Sequence, residues 1–402
     1  MQRNTSRKNH PQVYYINFMA MIKSNTLKYF LLLTQLMIIC LASHAQHEKA
    51  EADMQAIMTR FDIVGLSVAV VKNSHIIYAH SFGLKKIESN TPLNNTDIFR
   101  IASISKSFSA TSIMQLIQAK NFSLDDDFGD LIGFKVRNPK FPETVITLKM
   151  AMSHTSSIND SQGYFNLDVI NPKKNPEWAR CYNSYEPGKD YQYCNLNYNM
   201  IGTIIEKFSG ERFDGYVKHH ILDPLGLYGG YNVDSLDSSL LVPLYEKDST
   251  TNKYKAASMA YAPRREEIRN YVMGQTTAIF SPTGGMKISA TDLAKYMTMH
   301  MNKGKYKEKR IISKKSSTLM QTKVAEEESY GLAIHSIDDL LPGEVLKGHT
   351  GSAYGLHSAM FFHPKKKYGF VVITNGCIPT YTRGLNDVLR ASMVSLYEHF
   401  IK

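Results

Sequence analysis

Three short stretches of this chain carry residue types that can perform acyl transfer. The first is Ser103-Ile104-Ser105-Lys106. It follows Phe99-Arg100-Ile101-Ala102 and opens a stretch of helical periodicity. Ser103 is therefore expected at a helix start, where its backbone N–H is free and the helix terminus favours developing negative charge. Lys106 falls three residues on, on the same helical face and within reach of the serine oxygen. A serine hydroxyl is a poor nucleophile until a base takes its proton. A lysine buried beside other donors can lose its own proton near neutral pH and serve as that base. The plain alternative is a serine N-cap with an exposed lysine.

The second stretch is Tyr193-Cys194-Asn195, after the turn Glu186-Pro187-Gly188-Lys189-Asp190-Tyr191. Side chains two apart in an extended segment share a side, so the Tyr193 phenol can relay a proton there while the Asn195 amide holds both lysine and a substrate carbonyl. The third is His349-Thr350-Gly351-Ser352, expected on an edge of the carboxy-terminal β region. Gly351 is read as letting a ligand approach the backbone closely. The Ser352 N–H would then join that of Ser103 to bind an oxyanion, a contribution of about 3 kcal/mol per donor. None of the three is specific alone; a structural tyrosine, a turn asparagine and a stray His-Thr-Gly are common.

The elements that must position these residues are legible in the periodicity. Residues 65–71 and 76–82 read as two strands joined by Lys72-Asn73-Ser74-His75, and 356–363 and 368–374 form a second hairpin around Pro364-Lys365-Lys366-Lys367. Helical spacing runs through 105–119, through 197–208 until Gly210, and from Thr291 to about Met301. Strands come first and last, with helices and loops between. This predicts an α/β (α+β) fold, its antiparallel sheet built from both chain ends and flanked by helices. Residues 46–115 and 276–402 would form the α/β part and 116–275 a mainly helical insertion, with chemistry in the cleft between them.

Taken in order and at these separations, the three stretches resemble the motifs of the class C β-lactamase and DD-peptidase superfamily. Phe99-Arg100-Ile101-Ala102 resembles that family's lead-in to its nucleophile. Leu124-Asp125-Asp126-Asp127, Ser153-His154-Thr155-Ser156, Tyr185-Glu186-Pro187-Gly188 and Gly284-Gly285-Met286 are similar to further family segments. The resemblance spans about residues 52 to 395 within an expected domain of 46–395. It implies a β-lactamase/transpeptidase-like fold and a covalent acyl-enzyme at Ser103. Lys106 and Tyr193 would share proton transfer, the identity of the base being open. Asn195, His349, Thr350, Gly351 and Ser352 would bind substrate, with His349 supplying a donor or a positive charge. The implied substrate is an amide, peptide or ester, a D-alanyl cell-wall peptide or peptidoglycan fragment being one candidate. A class C-like β-lactamase and a non-catalytic penicillin-binding sensor are the alternatives. Three positions depart from the family pattern. His349 stands where the lactamases proper carry lysine, which weighs against efficient penicillin hydrolysis, since histidine is mostly neutral at pH 7. Cys194 replaces serine or alanine and is expected to be a small buried filler. Ser157 stands where a loop usually has glycine, which affects a turn rather than the chemistry.

Composition excludes other classes. The chain has 402 residues, 43% apolar and 21% charged, enough for one large domain or two smaller ones. The formal charge of +11 includes five basic and no acidic side chains in residues 1–45; the remainder holds 42 basic against 36 acidic, or +6. That excess, without an aromatic-basic motif, gives no reason to expect a nucleic acid partner, and the basic run Lys303–Lys315 reads as solvated surface. Residues 1–45 read as an export signal: Lys23 and Lys28, an apolar run from Tyr29 to Ala42, then Ser43-His44-Ala45, with cleavage expected before Gln46 and Met21 better placed than Met1 as a start. The rivals are a retained anchor and a lipoprotein on Cys40, the latter opposed by Ile39 before it. No later stretch is long and apolar enough for a stable membrane span, so a periplasmic or secreted protein is expected. Cys181, Cys194 and Cys377 cannot all pair internally, though Cys181 with Cys194 is one option in an oxidising compartment. No metal or other cofactor is expected; His219 and His220 should diverge on a helix as surface residues. The loop from Tyr164 to Trp178 is expected to border the cleft.

Overall fold

The computed structural model describes residues 44–119 and 122–402, together with Thr34, Gln35 and Met37. Residues 1–53 and 54–402 form two separate units. Of the first, residues 44–53 are helical, as are the three isolated positions. The expected signal otherwise lies outside the described residues, as does Cys40. No helix among the described residues is long and apolar enough to cross a membrane.

The second unit is organised by one antiparallel sheet. Its strands are β1 (Gly65–Lys72), β2 (His75–Lys86), β3 (Thr91–Pro92), β4 (His335–Ile337), β5 (Leu346–Ala353), β6 (Leu356–His363) and β7 (Tyr368–Thr374). They run in the order β4-β5-β6-β7-β1-β2-β3, so the two ends of the chain meet where β1 pairs with β7. The first hairpin closes on Asn73 and Ser74 alone, both at positive φ (51° and 67°), the geometry whose twist matches two right-twisted strands. β2 extends four residues past the expected end, to Lys86.

Every residue of β7 is buried, so both faces of the sheet must be covered. Helix α1 (Ser105–Ala119) carries Lys106, helix α2 (Asn195–Ser209) carries Asn195, and α3 (Ala290–Met301) and α4 (Asp387–Phe400) lie against β7. Adjacent residues of β7 show the two faces. A Cβ on Gly369 would meet Met297 of α3 at 2.7 Å, whereas the Tyr368 ring sits 5.7 Å from that of Tyr397 in α4. α1 is tied to α3 by the Phe108–Tyr296 ring stack at 3.8 Å and by Thr111 Oγ1 with the Tyr296 hydroxyl at 3.0 Å. α2 begins two residues earlier than its periodicity indicates and stops at Gly210, whose left-handed φ of 75° ends the helix.

Two expectations about the middle of the chain change. His219 and His220 do not diverge: both rings meet Glu211, at 3.1 and 2.7 Å, because residues 218–222 form a π-helical turn. Cys181, Cys194 and Cys377 are all free and buried, so the Cys181–Cys194 pairing does not form. Among the described residues no cluster of His, Cys, Asp and Glu is arranged to hold a metal ion.

Candidate active site

Ser103 sits in a tight turn, Ala102–Ile104, that leads directly into α1. It is the only residue from 101 to 110 that is not buried. Ala102 before it holds φ at 46°, a left-handed conformation that costs a non-glycine residue of order 1–3 kcal/mol. Lys106, on the first turn of α1, is fully buried beneath this serine. Its Nζ donates to Ser103 Oγ at 3.1 Å, Asn195 Oδ1 at 2.9 Å and the Thr283 carbonyl at 3.0 Å. Burial lowers its pKa to about 7, against opposing pulls from Asp160 and Cys194. Two of its three partners can only accept. A neutral Lys106 keeps its two N–H bonds to Asn195 and Thr283 and turns its lone pair to Ser103, the one partner with a proton to give.

Tyr193 and Asn195 reach Lys106 from one side, as their spacing requires. The lysine lies 4.7 Å above the Tyr193 ring. Among the described residues the buried Tyr193 hydroxyl has no hydrogen-bond partner. Burial raises its pKa; nearby Ser103 tempers the rise, although no hydrogen bond of normal geometry joins the two. The Asn195 amide differs from expectation. Its oxygen accepts from Lys106 and from Thr283 Oγ1 at 2.8 Å, while its Nδ2 donates to Asp160 Oδ2 at 2.9 Å. The oxygen and one of the two Nδ2 N–H groups are held by protein, so Asn195 anchors the lysine, and these bonds leave its second N–H untaken.

The His349 stretch lies on β5. β4 covers the outer edge of β5 only as far as Gly348, and beyond that point β5 contacts the Ala102–Ile104 turn. Thr350 there is half-buried and Ser352 exposed. His349 is buried; its Nδ1 donates to the Thr350 carbonyl at 2.5 Å, which leaves Nε2 to accept from the Tyr330 hydroxyl at 2.8 Å. Burial, with His335 and Lys106 nearby, pushes its pKa well below the usual imidazole range, so the ring is neutral at pH 7. Of the two roles expected for His349, the positive charge is absent and the donor N–H is already engaged. Gly351 has a structural reason as well. A Cβ there would meet the Ile101 carbonyl at 2.3 Å and Ser358 Oγ at 2.6 Å, so Gly351 permits a close approach of β5 to the nucleophile turn. Ser358 Oγ reinforces that junction by donating to Ile101 O at 3.0 Å.

The Beta-lactamase family model matches residues 50–392. The chain belongs to that family. It thereby falls within the serine hydrolase superfamily. The protein flp of Staphylococcus aureus (strain N315) is 23% identical over 330 residues, 78% of this chain and 60% of that protein. The chain therefore spans about 60% of the length of that relative. The octameric penicillin-binding protein homologue from Pyrococcus abyssi is 26% identical, with a TM-score of 0.67 over 87% of this chain and 77% of that one. The D-amino acid amidase from Ochrobactrum anthropi SV3, complexed with D-phenylalanine, shares the fold at 19% identity and a TM-score of 0.65, covering 87% and 99% of the two chains.

In this Beta-lactamase-family chain the residue least visible in the sequence is Asp160. Its Oδ2 accepts from the Asn195 backbone N–H at 2.9 Å as well as from Nδ2, and its Oδ1 accepts from Leu196 N at 2.9 Å and Cys194 Sγ at 3.2 Å. Cys194 is buried as expected, but it is also a donor rather than mere filler. Asp160 thus places a negative charge on the first turn of α2, where the helix terminus favours it. His154, from the Ser153–Ser156 stretch, packs its ring at a tilt 4.3 Å from that of Tyr193 and accepts the Cys194 N–H on Nδ1 at 3.1 Å. Burial, with Lys106 and His349 nearby, holds it neutral. Ser157 adopts φ of 62°, the left-handed conformation for which glycine is suited, and its Oγ accepts from Asn138 Nδ2 at 3.0 Å.

Proposed function

We propose that this protein is an exported serine hydrolase, periplasmic or secreted, that forms a covalent acyl-enzyme at Ser103 on an amide, peptide or ester. A D-amino-acid peptide, including a peptidoglycan fragment, is the substrate class considered first. The observation that carries the reading is the bond from Lys106 Nζ to Ser103 Oγ at 3.1 Å, in a lysine whose pKa is about 7. Neutral Lys106 takes the Ser103 proton as Oγ attacks the carbonyl carbon. The carbonyl oxygen becomes an oxyanion bound by the Ser103 and Ser352 N–H groups. The leaving group departs with a proton from Lys106, relayed through the unpartnered Tyr193 hydroxyl. Water then attacks the ester carbonyl as neutral Lys106 takes its proton, the acyl C–Oγ bond breaks to release the acid, and Ser103 Oγ takes that proton from Lys106. Thr350 and Gly351 line the β5 side of this path. His349 supports the strand in its neutral form, which leaves no fixed cation there for a substrate carboxylate and weighs against penicillin as the natural substrate.

The test is intact-mass spectrometry after exposure to a fluorophosphonate, a penicillin and an activated ester, with Ser103→Ala alongside. Adducts on the wild type and none on Ser103→Ala are expected. A penicillin adduct that turns over rapidly would favour the β-lactamase alternative, and adducts that never release would favour a sensor. Folded wild-type protein that takes no adduct from any probe would overturn the catalytic reading.

A further inference from the structure

Behind the nucleophile turn lies a second arrangement that the acyl-transfer chemistry does not use. The short strand Phe99–Arg100 pairs with Lys287–Ile288, placing Arg100 directly opposite Lys287. Like charges opposite one another in a sheet repel. Both side chains are withdrawn from solvent, Lys287 to 5% exposure. Their hydrogen bonds go only to backbone carbonyls: Arg100 Nε to Gly284 O at 2.8 Å, Arg100 Nη1 to Ala260 O at 3.1 Å, and Lys287 Nζ to Tyr231 O at 2.5 Å. Among the described residues no carboxylate lies within ion-pair distance of either. The acidic side chains that act on Lys287 from farther away are otherwise engaged. Asp214 binds Arg212 at 2.6 and 2.9 Å, and Asp234 binds Arg264 N at 2.8 Å and Arg265 Nε at 3.1 Å.

Arg100 and Lys287 line one cavity of about 30 Å³, with Arg264 as a third cation. That is room for a water or two, or for one small anionic head. Ser281 also lines it, and among the described residues its buried hydroxyl has no partner. Phe165 and Met259, 51% and 63% exposed, form an apolar part of the lining together with Tyr354, whose ring lies 5.1 Å beneath the Arg100 guanidinium. Phe165 is thereby the residue of the 164–178 loop that reaches this site. Burial, with Arg100 and Arg264 nearby, pushes the Lys287 pKa well below the ordinary lysine range, so its ammonium form is costly without a counter-charge; an anion that accepts from Lys287, Arg100 and Ser281 supplies one where water does not.

We infer that this cavity is an anion site for a carboxylate-sized monovalent group. Its occupant is coupled to the nucleophile through one segment: the Gly284 carbonyl holds Arg100, and the preceding carbonyl, of Thr283, holds Lys106. The anion has two sources, a free ion or a carboxylate on the acyl portion of a substrate. The second source rests on the hydrolase reading above.

Thermal denaturation of the full chain carrying Ser103→Ala separates the site from catalysis. Acetate is compared with gluconate, a bulky carboxylate, at equal ionic strength. At about ten times its Kd, acetate should raise Tm by about 2 °C and continue to raise it logarithmically with concentration, with gluconate inert. Lys287→Met should abolish the difference, and the acetate-against-gluconate comparison stands in the parent chain if that variant does not fold. With Ser103 present, 4-nitrophenyl acetate and mono-4-nitrophenyl glutarate distinguish the sources. A KM about tenfold lower for the glutarate ester, lost in Lys287→Met, assigns the site to the acyl carboxylate. Equal KM values with acetate stabilisation assign it to a free ion. Equal responses to acetate and gluconate, with equal KM values, overturn the inference. Acetate stabilisation with no ester hydrolysed would instead count against the hydrolase reading and leave the anion site standing.

Discussion

Replacing Asp160 by asparagine tests whether Lys106 is the group that must lose a proton. Two bonds of 2.9 Å, one on each side of the Asn195 amide, link the lysine to this carboxylate. That path sets the charges roughly 7 Å apart, where an effective dielectric of about 20 gives about 2 kcal/mol of attraction. Asp160 raises the Lys106 pKa while burial lowers it to about 7. Removing the charge therefore lowers the pKa further, by about one unit once solvent screening at the partly exposed carboxylate is allowed for. If neutral Lys106 activates Ser103, the acidic limb of kcat/KM moves from near pH 7 in the parent enzyme to near pH 6 in Asp160→Asn. His154 and His349 cannot imitate this limb, because burial pushes both well below the imidazole range. The assay is a pH–rate profile on an activated ester, with circular dichroism to confirm folding, since asparagine leaves some of the four donors unmatched. A folded Asp160→Asn whose acidic limb stays near pH 7 would refute the assignment of that limb to Lys106.

Other outcomes follow from single contacts. Tyr193→Phe removes a buried hydroxyl that has no partner, so stability should change by less than about 1 kcal/mol while kcat/KM falls by about 10²-fold or more; a large loss of Tm with unchanged rate would contradict both halves. Gly351→Ala should destabilise by about 1–3 kcal/mol in urea denaturation and slow acylation, because its Cβ would sit 2.3 Å from the Ile101 carbonyl beside the nucleophile. Tyr330→Phe leaves His349 Nε2 without its donor and should cost about 1–3 kcal/mol by the same measurement.

Periodic elements are legible in this sequence because their signal is local. The hairpin strands Leu356–His363 and Tyr368–Thr374, and the helix from Ser105, carry their burial pattern in their own residues. Ser103 and Lys106 are legible for the same reason, since three residues on one helix nearly determine their separation. Asp160 is not. It lies in an irregular loop 35 residues from Asn195, with a turn-forming neighbour, Asn159, but nothing that indicates which helix start the loop meets. Tyr330 is hidden likewise: its partner His349 is 19 residues on, and no spacing rule joins a loop to the middle of a strand. The inverted cases are instructive too. Gly351 and Asn195 stand out as residues with capacity to spare, and part of that capacity meets Ile101 and Ser358 in one case and Asp160 and Thr283 in the other.

The distribution of positive charge then bears on which substrates the site can favour. A lysine at position 349 would hold a fixed cation on β5, where a substrate carboxylate could meet it. Here the imidazole is buried, neutral and joined to Tyr330 and Thr350, so that side of the nucleophile offers shape and backbone rather than charge. Lys106 titrates near pH 7 and is bonded to protein on all three N–H groups, so it acts on the serine rather than on a distant anion. Arg100, half-buried, and Lys287, buried, stand behind the turn. A substrate whose leaving group carries the carboxylate gains little from this arrangement. If the cavity behind the turn takes an acyl carboxylate as inferred above, a substrate whose acyl part carries one gains from it, and Phe165, Met259 and Tyr354 would line its approach.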